Sequence, residues 1–161
     1  RLVAASANLS GRPAVAGDLN PIARLFNAYR EFYDQPADPS RATEFIRERL
    51  ARGDSVILVA ERADSGIVGF CQLYPTFCSV EAASIYVLYD LFIAADQRRS
   101  GAARALLLAA EAHAAAEGRV RMDLSTARTN RAAQALYESL GWVRDDVYCV
   151  YNRRIHAGAR S

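Results

Sequence analysis

The chain of 161 residues has the length of one globular domain, and its composition, 52% hydrophobic and 24% charged, excludes a disordered or fibrous protein. All 20 basic residues are arginines, but they are scattered and the formal net charge is only +2, so no nucleic-acid partner is expected. The longest apolar run is far shorter than the ~18–20 residues that cross a bilayer, so no membrane partner is expected either.

The first third of the chain predicts one strand and two helices. A weak strand over residues 8–12 precedes a helix that Asp18 or Asn20 is suited to cap, with Pro21 in its first turn. Apolar residues then recur with the 3.6-residue period of a helix. A second helix is predicted over residues 40–51.

The rest of the chain alternates between strands and helices. Apolar runs with a two-residue period predict strands, and Ala- and Leu-rich stretches predict helices. We expect an antiparallel hairpin over residues 56–60 and 67–74, followed by a loop over residues 75–82. A strand over residues 84–94, a helix over 104–117 and a strand over 120–125 come next. A helix over residues 130–140 and a final pair of strands, 142–144 and 147–151, follow them. The ends, residues 1–7 and 155–161, are expected to be loose.

This order of elements predicts an α/β domain that spans residues 1–161. The strand–helix–strand unit over residues 84–125 requires a right-handed crossover and therefore a parallel pair of strands. The hairpins supply antiparallel pairs. A mixed, twisted sheet with helices on both faces satisfies both requirements.

The clearest functional pattern lies between Asp90 and Arg104. A buried strand ends near Ile93, and a short polar loop leads to a helix whose first turn contains only small residues: Ser100, Gly101, Ala102 and Ala103. The N–H groups of a helix N-terminus lack intrahelical partners and attract anions. Arg98, Arg99 and Arg104 add positive charge. The pattern therefore predicts a phosphate or pyrophosphate site.

The common nucleotide-binding loops do not match this stretch. Nucleotide-triphosphate and dinucleotide loops carry Gly-Lys-Ser/Thr or Gly-x-Gly-x-x-Gly signatures, and the sequence has neither of them here. Close packing of the helix on a neighbouring element also requires small residues, and it remains the structural alternative to anion binding.

Three ordered motifs resemble those of the GCN5-related N-acetyltransferases, the GNAT family. The loop matches their Gln/Arg-x-x-Gly-x-Gly/Ala signature, with Ala at a position where Gly is commoner. The preceding strand is similar to their fourth strand, and a later helix is similar to their closing motif. The residues concerned are Arg98-x-x-Gly101-x-Ala103, Asp90-Leu91-Phe92-Ile93, and Asn130 with Tyr137 and Leu140-Gly141-Trp142.

The resemblance implies a mostly antiparallel sheet with a central, splayed parallel pair, and acetyl-CoA as the acetyl donor. The pyrophosphate is then expected on the backbone amides of residues 99–104, with Arg98 beside it. The splayed strand edge would pair with the peptide-like pantetheine arm, as an added strand does. An N–H near Ile93 would polarise the thioester carbonyl. The remaining cofactor contacts that the resemblance implies are Leu91, Phe92, Asn130, Ala133 and Tyr137.

The resemblance also implies catalytic roles. Tyr137 is the expected acid that serves the leaving thiolate, and its alternative role is that of a core tyrosine on an amphipathic helix. Asp90 is the candidate base, and its alternative role is a cap or salt bridge at the strand edge. In the polyamine-acetylating branch a Glu commonly precedes this Asp, whereas Tyr89 stands there in this chain.

Aromatic and acidic side chains are the candidate acceptor contacts. Aromatic faces attract a cationic amine, although aromatic residues at helical spacing more often belong to the core, and isolated acids are more often surface charges. The candidates are Phe32, Tyr33, Tyr74, Tyr89, Asp90 and Asp123, with Tyr29, Phe77 and Tyr86 as further aromatic residues.

The three cysteines, Cys71, Cys78 and Cys149, form an odd and sparse set, which favours reduced thiols and a cytoplasmic protein over a disulfide framework. Neither His113 nor His156 is placed in the sequence to activate one of them, which disfavours an acyl-cysteine intermediate. No metal-ligand spacing is present.

We therefore expect an acetyl-CoA-dependent N-acetyltransferase whose acceptor, the primary amine of a small molecule, attacks directly in a ternary complex. The resemblance is to the branch that acetylates polyamines, diamines, amino acids or histone tails, and it implies a homodimer. The alternatives are an acetyltransferase of protein lysines or N-termini, and a non-catalytic acyl-CoA-binding module.

Overall fold

A computed structural model describes residues 8–156 and places them in two compact units, residues 8–125 and 126–156. Of the segments expected to be loose, residues 1–7 and 157–161 lie outside the described residues. The expectation of one domain over residues 1–161 stays a prediction. Each unit is described by itself below.

The first unit contains a five-stranded sheet in the order β1-β2-β3-β4-β5. All neighbours are antiparallel except β4 and β5, which are parallel. The predicted mixed, mostly antiparallel sheet with a parallel pair is confirmed. The strands are β1 Leu9–Pro13, β2 Val56–Arg62, β3 Gly66–Cys78, β4 Ala83–Ile93 and β5 Met122–Leu124.

Helices cover the two faces of this sheet. Helices α1 (Leu19–Phe32) and α2 (Pro39–Arg52) lie on one face, where Ile22, Phe26, Ala42 and Ile46 form a core cluster with Ile57, Val59 and Phe70 of the sheet. Helix α3 (Ala102–Ala116) packs against β1, β2, β3 and β4. Because side chains alternate along a strand, Leu58 and Ala60, which are also buried, point to the opposite face from Ile57 and Val59.

The predicted cap residue Asp18 has a different role from the expected one. It stands at the N-cap position of α1 but makes no hydrogen bond to the amides of that helix. Its carboxylate accepts two hydrogen bonds from Arg12, at 2.8 and 3.1 Å, and one from the Val15 N–H at 2.8 Å. The Arg12 hydrogen bonds hold the pKa of Asp18 below its usual range. Asp18 therefore ties the end of β1 to the start of α1.

The predicted loop over residues 75–82 is wrong in its first half, because β3 continues to Cys78 and pairs with β4. Pro75 has no N–H and normally disfavours a central strand. Here it lies two residues beyond Leu73, the last residue of β3 that pairs with β2. That edge of β3 has no strand beside it among the described residues, so the missing N–H breaks no ladder hydrogen bond.

The second unit contains α4 (Arg131–Ser139), where the sequence predicts a helix. The predicted strands over residues 142–144 and 147–151 are wrong, because no residue between 142 and 156 lies in a strand. The Asp145 side chain accepts the N–H groups of Val147 and Tyr148 at 2.8 and 3.1 Å, which fixes a local turn. The parallel pair β4–β5 consequently lies at the end of the described sheet, where the prediction had it central.

The close approach of α3 to the sheet generates a stability prediction. A Cβ added to Gly11 would lie 2.9 Å from the Ala109 Cβ and 3.0 Å from the Ala105 carbonyl oxygen. We expect Gly11→Ala to lower the free energy of unfolding by about 1–3 kcal/mol, since overpacking forces the helix away. Urea unfolding measures this loss. Gly17→Ala is the matched control, because no atom of the described residues beyond its chain neighbours lies within 4 Å of the added carbon. Equal losses in the two variants would contradict the prediction.

Candidate active site

One extra residue in β4 creates the site. Gln72 of β3 is opposite Asp90, but Leu73 is opposite Leu88, so Tyr89 has no partner and forms a β-bulge. The bulge reverses which face the following side chains point to. Before it, the Tyr86 ring lies 6.0 Å from His113 of α3; after it, the Phe92 ring lies 6.0 Å from Tyr29 of α1.

The bulge also reverses the direction of the backbone groups. The N–H of Tyr86 points to β5, where it donates to the Arg121 carbonyl, whereas the N–H of Ala94 points to β3, where it donates to Val68. Because backbone groups alternate along a strand, those of Leu91 and Ile93 point away from β3. The last pair between β4 and β5 is Leu88 with Leu124. Within the first unit, β4 therefore carries an unpaired edge beyond Leu88.

Asp90 is buried at the bulge, with 3% of its surface exposed. The Gln72 side chain, which is fully buried, donates a 2.7 Å hydrogen bond to the Asp90 carboxylate. The Ser55 hydroxyl in turn donates to the Gln72 amide oxygen at 2.7 Å. This chain fixes the orientation of the carboxylate, because the only hydrogen-bond acceptor of the Gln72 amide is already occupied.

Burial raises the pKa of Asp90 above its usual range, although hydrogen bonds from Gln72 and Tyr29 oppose the shift. The Tyr29 hydroxyl, which also lies 3.4 Å from the Tyr89 carbonyl oxygen, has a raised pKa because of burial and the nearby Asp90 charge. Tyr74 has a raised pKa for the same two reasons. A carboxylate with a raised pKa is a stronger base than an ordinary one, which suits it to accept a proton near neutral pH.

The predicted aromatic candidates mostly gather around Asp90. The rings of Tyr74 and Tyr89 lie 5.5 Å apart, and those of Tyr29 and Tyr33 lie 5.1 Å apart. Phe32 completes this group through its contact with Tyr33 at 5.3 Å. Aromatic faces thus line the α1 side of the bulge, and more than half of the surface of Phe32, Tyr33 and Tyr89 is exposed.

Two predicted acceptor residues lie elsewhere. Because Tyr86 precedes the bulge, its side chain is buried on the α3 face, with 3% of its surface exposed. The Arg119 guanidinium lies 4.5 Å from its ring centroid. Asp123 forms an exposed ion pair with Arg121 at 2.8 Å, and Arg121 also binds Glu81. No contact among the described residues joins either of them to Asp90.

The loop between β4 and α3 has the geometry that the anion-site prediction requires. Gly101 is the N-cap of α3 with φ +85°, a left-handed conformation that favours glycine. Ala102 points into the core, and the first intrahelical bond is made by the Ala105 N–H to the Gly101 carbonyl. The side chains of Ala102 and Ala103 are too small to cover the preceding amides. Arg62 holds the loop through a 3.1 Å hydrogen bond to the Ser100 carbonyl.

Arg98 lies at the strand edge. Its guanidinium carbon is 5.7 and 5.5 Å from the ring centroids of Phe32 and Phe92, and its Nε donates to the Ile93 carbonyl at 3.4 Å. Arg99 and Arg104 are exposed. Arg98 therefore joins the aromatic group to the last residue of the open edge, and its expected place beside a pyrophosphate stays a prediction.

The second unit carries the remaining candidates. The Asn130 side-chain oxygen accepts the Ala133 N–H at 3.2 Å and caps α4. On the same helix, the Tyr137 ring lies 6.2 Å from the Trp142 ring. The expected contacts of Asn130, Ala133 and Tyr137 with acetyl-CoA stay predictions.

Sequence reasoning missed the residues that hold the site in place, namely Ser55, Gln72 and Arg62. A signal existed for Gln72, which is the one polar residue in an otherwise apolar stretch over residues 67–73. Buried polar groups require partners, so an isolated polar residue in a central strand indicates a hydrogen bond to another buried group. The partners themselves are set by the register between strands.

Of the three free cysteines, Cys71 is fully buried in β3. Burial raises the pKa of the Cys71 thiol to about 12, which makes it a poor nucleophile at neutral pH. Among residues 8–156, no group of three or more His, Cys, Asp or Glu side chains is placed to hold a metal ion. None of the described helices is both long and apolar enough to cross a membrane.

Comparisons with known proteins agree with this geometry. The family model for the acetyltransferase (GNAT) family matches residues 22–142. The uncharacterized N-acetyltransferase YhfO of Bacillus subtilis (strain 168) is 44% identical over 140 residues, which cover 87% of this chain and 93% of that protein. A crystal structure of a probable acetyltransferase has a TM-score of 0.84 at 36% identity and covers 91% of this chain and 98% of that one. A mycothiol acetyltransferase of Thermobispora bispora is 33% identical over 129 residues, 77% of this chain and 43% of that protein.

The mixed sheet with one parallel pair, together with these relatives, defines an N-acetyltransferase. The chain belongs to the acetyltransferase (GNAT) family, whose members use acetyl-CoA as co-substrate. The resemblance found in the three sequence motifs is thus confirmed at the level of the family.

The buried carboxyl generates a prediction that needs no substrate. Because the pKa of Asp90 is raised in the folded state, its carboxyl makes its full contribution to stability only below the pKa of an Asp in the unfolded chain, about 3.9. That contribution is lost as the pH rises through the pKa that Asp90 has in the folded state. We expect Asp90→Asn to gain stability relative to the wild type as the pH rises from 4 to 8, by about 1.4 kcal/mol for each unit between the two pKa values.

Urea unfolding across that pH range measures the difference between Asp90→Asn and the wild type. The exposed residue Asp96, on the loop after β4, provides the matched control Asp96→Asn. A difference that stays constant with pH, or that is equal in the two variants, would contradict the raised pKa of Asp90.

Proposed function

We propose that this acetyltransferase transfers the acetyl group of acetyl-CoA to the primary amine of a small molecule, by direct attack in a ternary complex. The observation that carries the proposal is the buried Asp90 carboxylate, held by Gln72 at 2.7 Å and surrounded by tyrosines beside the open edge of β4. A negative charge in an aromatic setting suits an alkylammonium ion.

The chemistry requires that the amine lose a proton, to a general base, a water chain or a desolvating pocket. A primary alkylamine with a pKa near 10.4 is neutral in only about one molecule of a few thousand at pH 7, and only the neutral amine attacks the thioester. Asp90 attracts the ammonium form and accepts its proton. Its raised pKa reduces the free-energy cost of that transfer, whereas an ordinary carboxylate would return the proton readily. Tyr29 and Tyr74 limit the access of water to the carboxylate.

The residues of the first unit fit acetyl-CoA. The small side chains at the start of α3 leave the loop amides open for a pyrophosphate. Apart from the chain neighbours of Gly101, the Leu9 side chain, at 3.9 Å, is the only part of residues 8–156 within 4 Å of a carbon added to Gly101. At this edge the backbone of Leu91 and Ile93 pairs with no strand of the first unit, which suits it to pair with the pantetheine arm. An N–H at this edge would stabilise the oxyanion that forms at the thioester carbon.

Tyr137 is proposed to protonate or hydrogen-bond the leaving thiolate, on the resemblance of its motif to that of the family. A phenol with the ordinary pKa of about 10 is a weaker acid than a thiol, so full proton transfer to the thiolate is uphill by about 2 kcal/mol, and we expect a hydrogen bond that becomes donation only late in the step. Asn130 and Ala133 are proposed to bind the pantetheine arm on the same ground. A cytoplasmic location, indicated by the sparse cysteines, and a homodimer, implied by the resemblance, belong to the same proposal.

The central test is the release of free CoA from acetyl-CoA across a panel of primary amines. We expect amine-dependent release by the wild type and a loss of at least about a hundredfold in kcat/KM for Asp90→Asn, which corresponds to the usual contribution of a general base. Asp96→Asn again serves as the control. Tight CoA binding with no release for any amine would support the alternative, a non-catalytic acyl-CoA-binding module. Release with a lysine peptide alone would support protein acetylation.

The role of Tyr137 has a separate test. We expect Tyr137→Phe to lower kcat by about ten- to a hundredfold while the KM for acetyl-CoA changes little, because the hydroxyl acts mainly on the sulfur that leaves. Tyr148→Phe, an exposed tyrosine of the same unit, is the control. A wild-type kcat in Tyr137→Phe would reject the proposed role.

A further inference from the structure

A second cleft lies between the second half of α1 and the first half of α2. It has a volume of about 320 Å³ and is lined by Phe26, Arg30, Gln35, Arg41 and Phe45. No acidic residue lines it in the part of the chain that the structure describes. The cleft therefore presents two guanidinium groups and one amide above two aromatic rings, a composition that suits an anion.

The two arginines of the cleft differ from those arginines of the first unit that bind carboxylates. Arg12, Arg47, Arg49 and Arg121 each form an ion pair. Neither Arg30 nor Arg41 forms an ion pair or a side-chain hydrogen bond with any residue from 8 to 156. The Nη1 atom of Arg30 is buried and has no hydrogen-bond partner there. A buried charged donor without a partner is costly, which favours an anion that comes from outside the protein.

Two acidic residues of the connection and of α2, Asp38 and Glu44, are already engaged. The Asp38 carboxylate caps α2 and accepts the backbone N–H of Arg41 at 3.0 Å. Glu44 pairs with Arg47 along the same helix. The Asp38 N–H is itself bound to the Asn27 side chain at 2.9 Å, which ties the connection between the helices to α1. Neither of these two carboxylates therefore compensates the arginines of the cleft, of which Arg41 is exposed and Arg30 is half-buried.

The cleft is linked to the Asp90 group through packed aromatic rings. Its two aromatic residues, Phe26 and Phe45, stack at 5.2 Å with an angle of 13° between their planes. The Phe26 ring also stacks on Tyr29 at 6.1 Å, and Tyr29 faces Asp90. One aromatic ring therefore separates the arginine pair from the tyrosine that contacts the proposed base.

We propose that the cleft binds the carboxylate of an acceptor whose primary amine faces Asp90. This inference rests on the proposed function and narrows it to an amino-acid-like acceptor with its two charged ends separated by a chain of several atoms. A polyamine or diamine would place a second ammonium group beside Arg30 and Arg41, where like charges repel.

The test compares matched acceptors. The kcat/KM of CoA release is measured for ω-amino carboxylates and for n-alkylamines of equal chain length. We expect the wild type to prefer the best carboxylate by at least about tenfold. Arg30→Gln and Arg41→Gln should each lower kcat/KM for the carboxylate by about ten- to a hundredfold and leave that for the alkylamine within about threefold. Arg52→Gln, an exposed arginine of α2, is the control.

The outcomes separate this inference from the proposed function. Equal rates for the two series would overturn the carboxylate subsite. So would arginine variants that raise the KM for acetyl-CoA and not the KM for the acceptor. Neither result would contradict the proposed transfer of an acetyl group to a primary amine. Isothermal titration of the CoA-loaded protein with the same compounds repeats the comparison without turnover. Affinity for the carboxylate that is lost in the two arginine variants supports the subsite even when no amine is acetylated, and unchanged affinity overturns it.

Discussion

The single extra residue at Tyr89 is the feature on which the site depends. A regular β4 would keep Tyr86 and Asp90 on the same face, and the carboxylate would enter the apolar contact between the sheet and α3. The bulge transfers it to the face of α1 and α2, where Gln72 and Tyr29 meet it. The same shift turns the backbone of Leu91 away from β3. One insertion thus supplies both a base and an open strand edge, and the two lie adjacent along the chain.

Two glycines of the sheet, Gly11 and Gly69, allow the close backbone contacts on which this arrangement depends. A Cβ on Gly69 would meet the Ile93 Cδ1, which would have to shift, and would lie 3.0 Å from the Phe92 carbonyl oxygen, so the absence of a side chain at Gly69 eases the approach of the end of β4 to β3. Gly11 has the same function against α3. The small residues at the start of α3 therefore satisfy two demands together. Ala102 packs against the core, while Gly101 exposes the amides that an anion would bind.

The sequence predicted the elements that carry a strong local signal. Amphipathic helices and the first hairpin depend on periodicity and turn residues, and the loop before α3 depends on a compact motif that includes Gly101. The failures concern non-local effects. Strand β3 continues through Pro75 because β2 ends earlier, Asp18 is drawn from its helix by Arg12, and residues 142–151 lack a partner strand in their own unit. The bulge belongs to this class, since only the register against β3 reveals it.

The charges of the site explain why its carboxylate remains ionisable despite burial. Asp90 is desolvated, and Gln72 and Tyr29 return only part of the lost hydration through hydrogen bonds. A neutral residue at this position would relieve that cost, so the buried Asp90 has the character of a functional residue that the fold tolerates. An ammonium ion would supply the missing opposite charge, and the guanidinium pair of Arg30 and Arg41 would be relieved by a carboxylate in the same way. A molecule with both groups compensates both ends at once. Two uncompensated charges of opposite sign therefore make a stronger argument for a zwitterionic acceptor than either charge does alone.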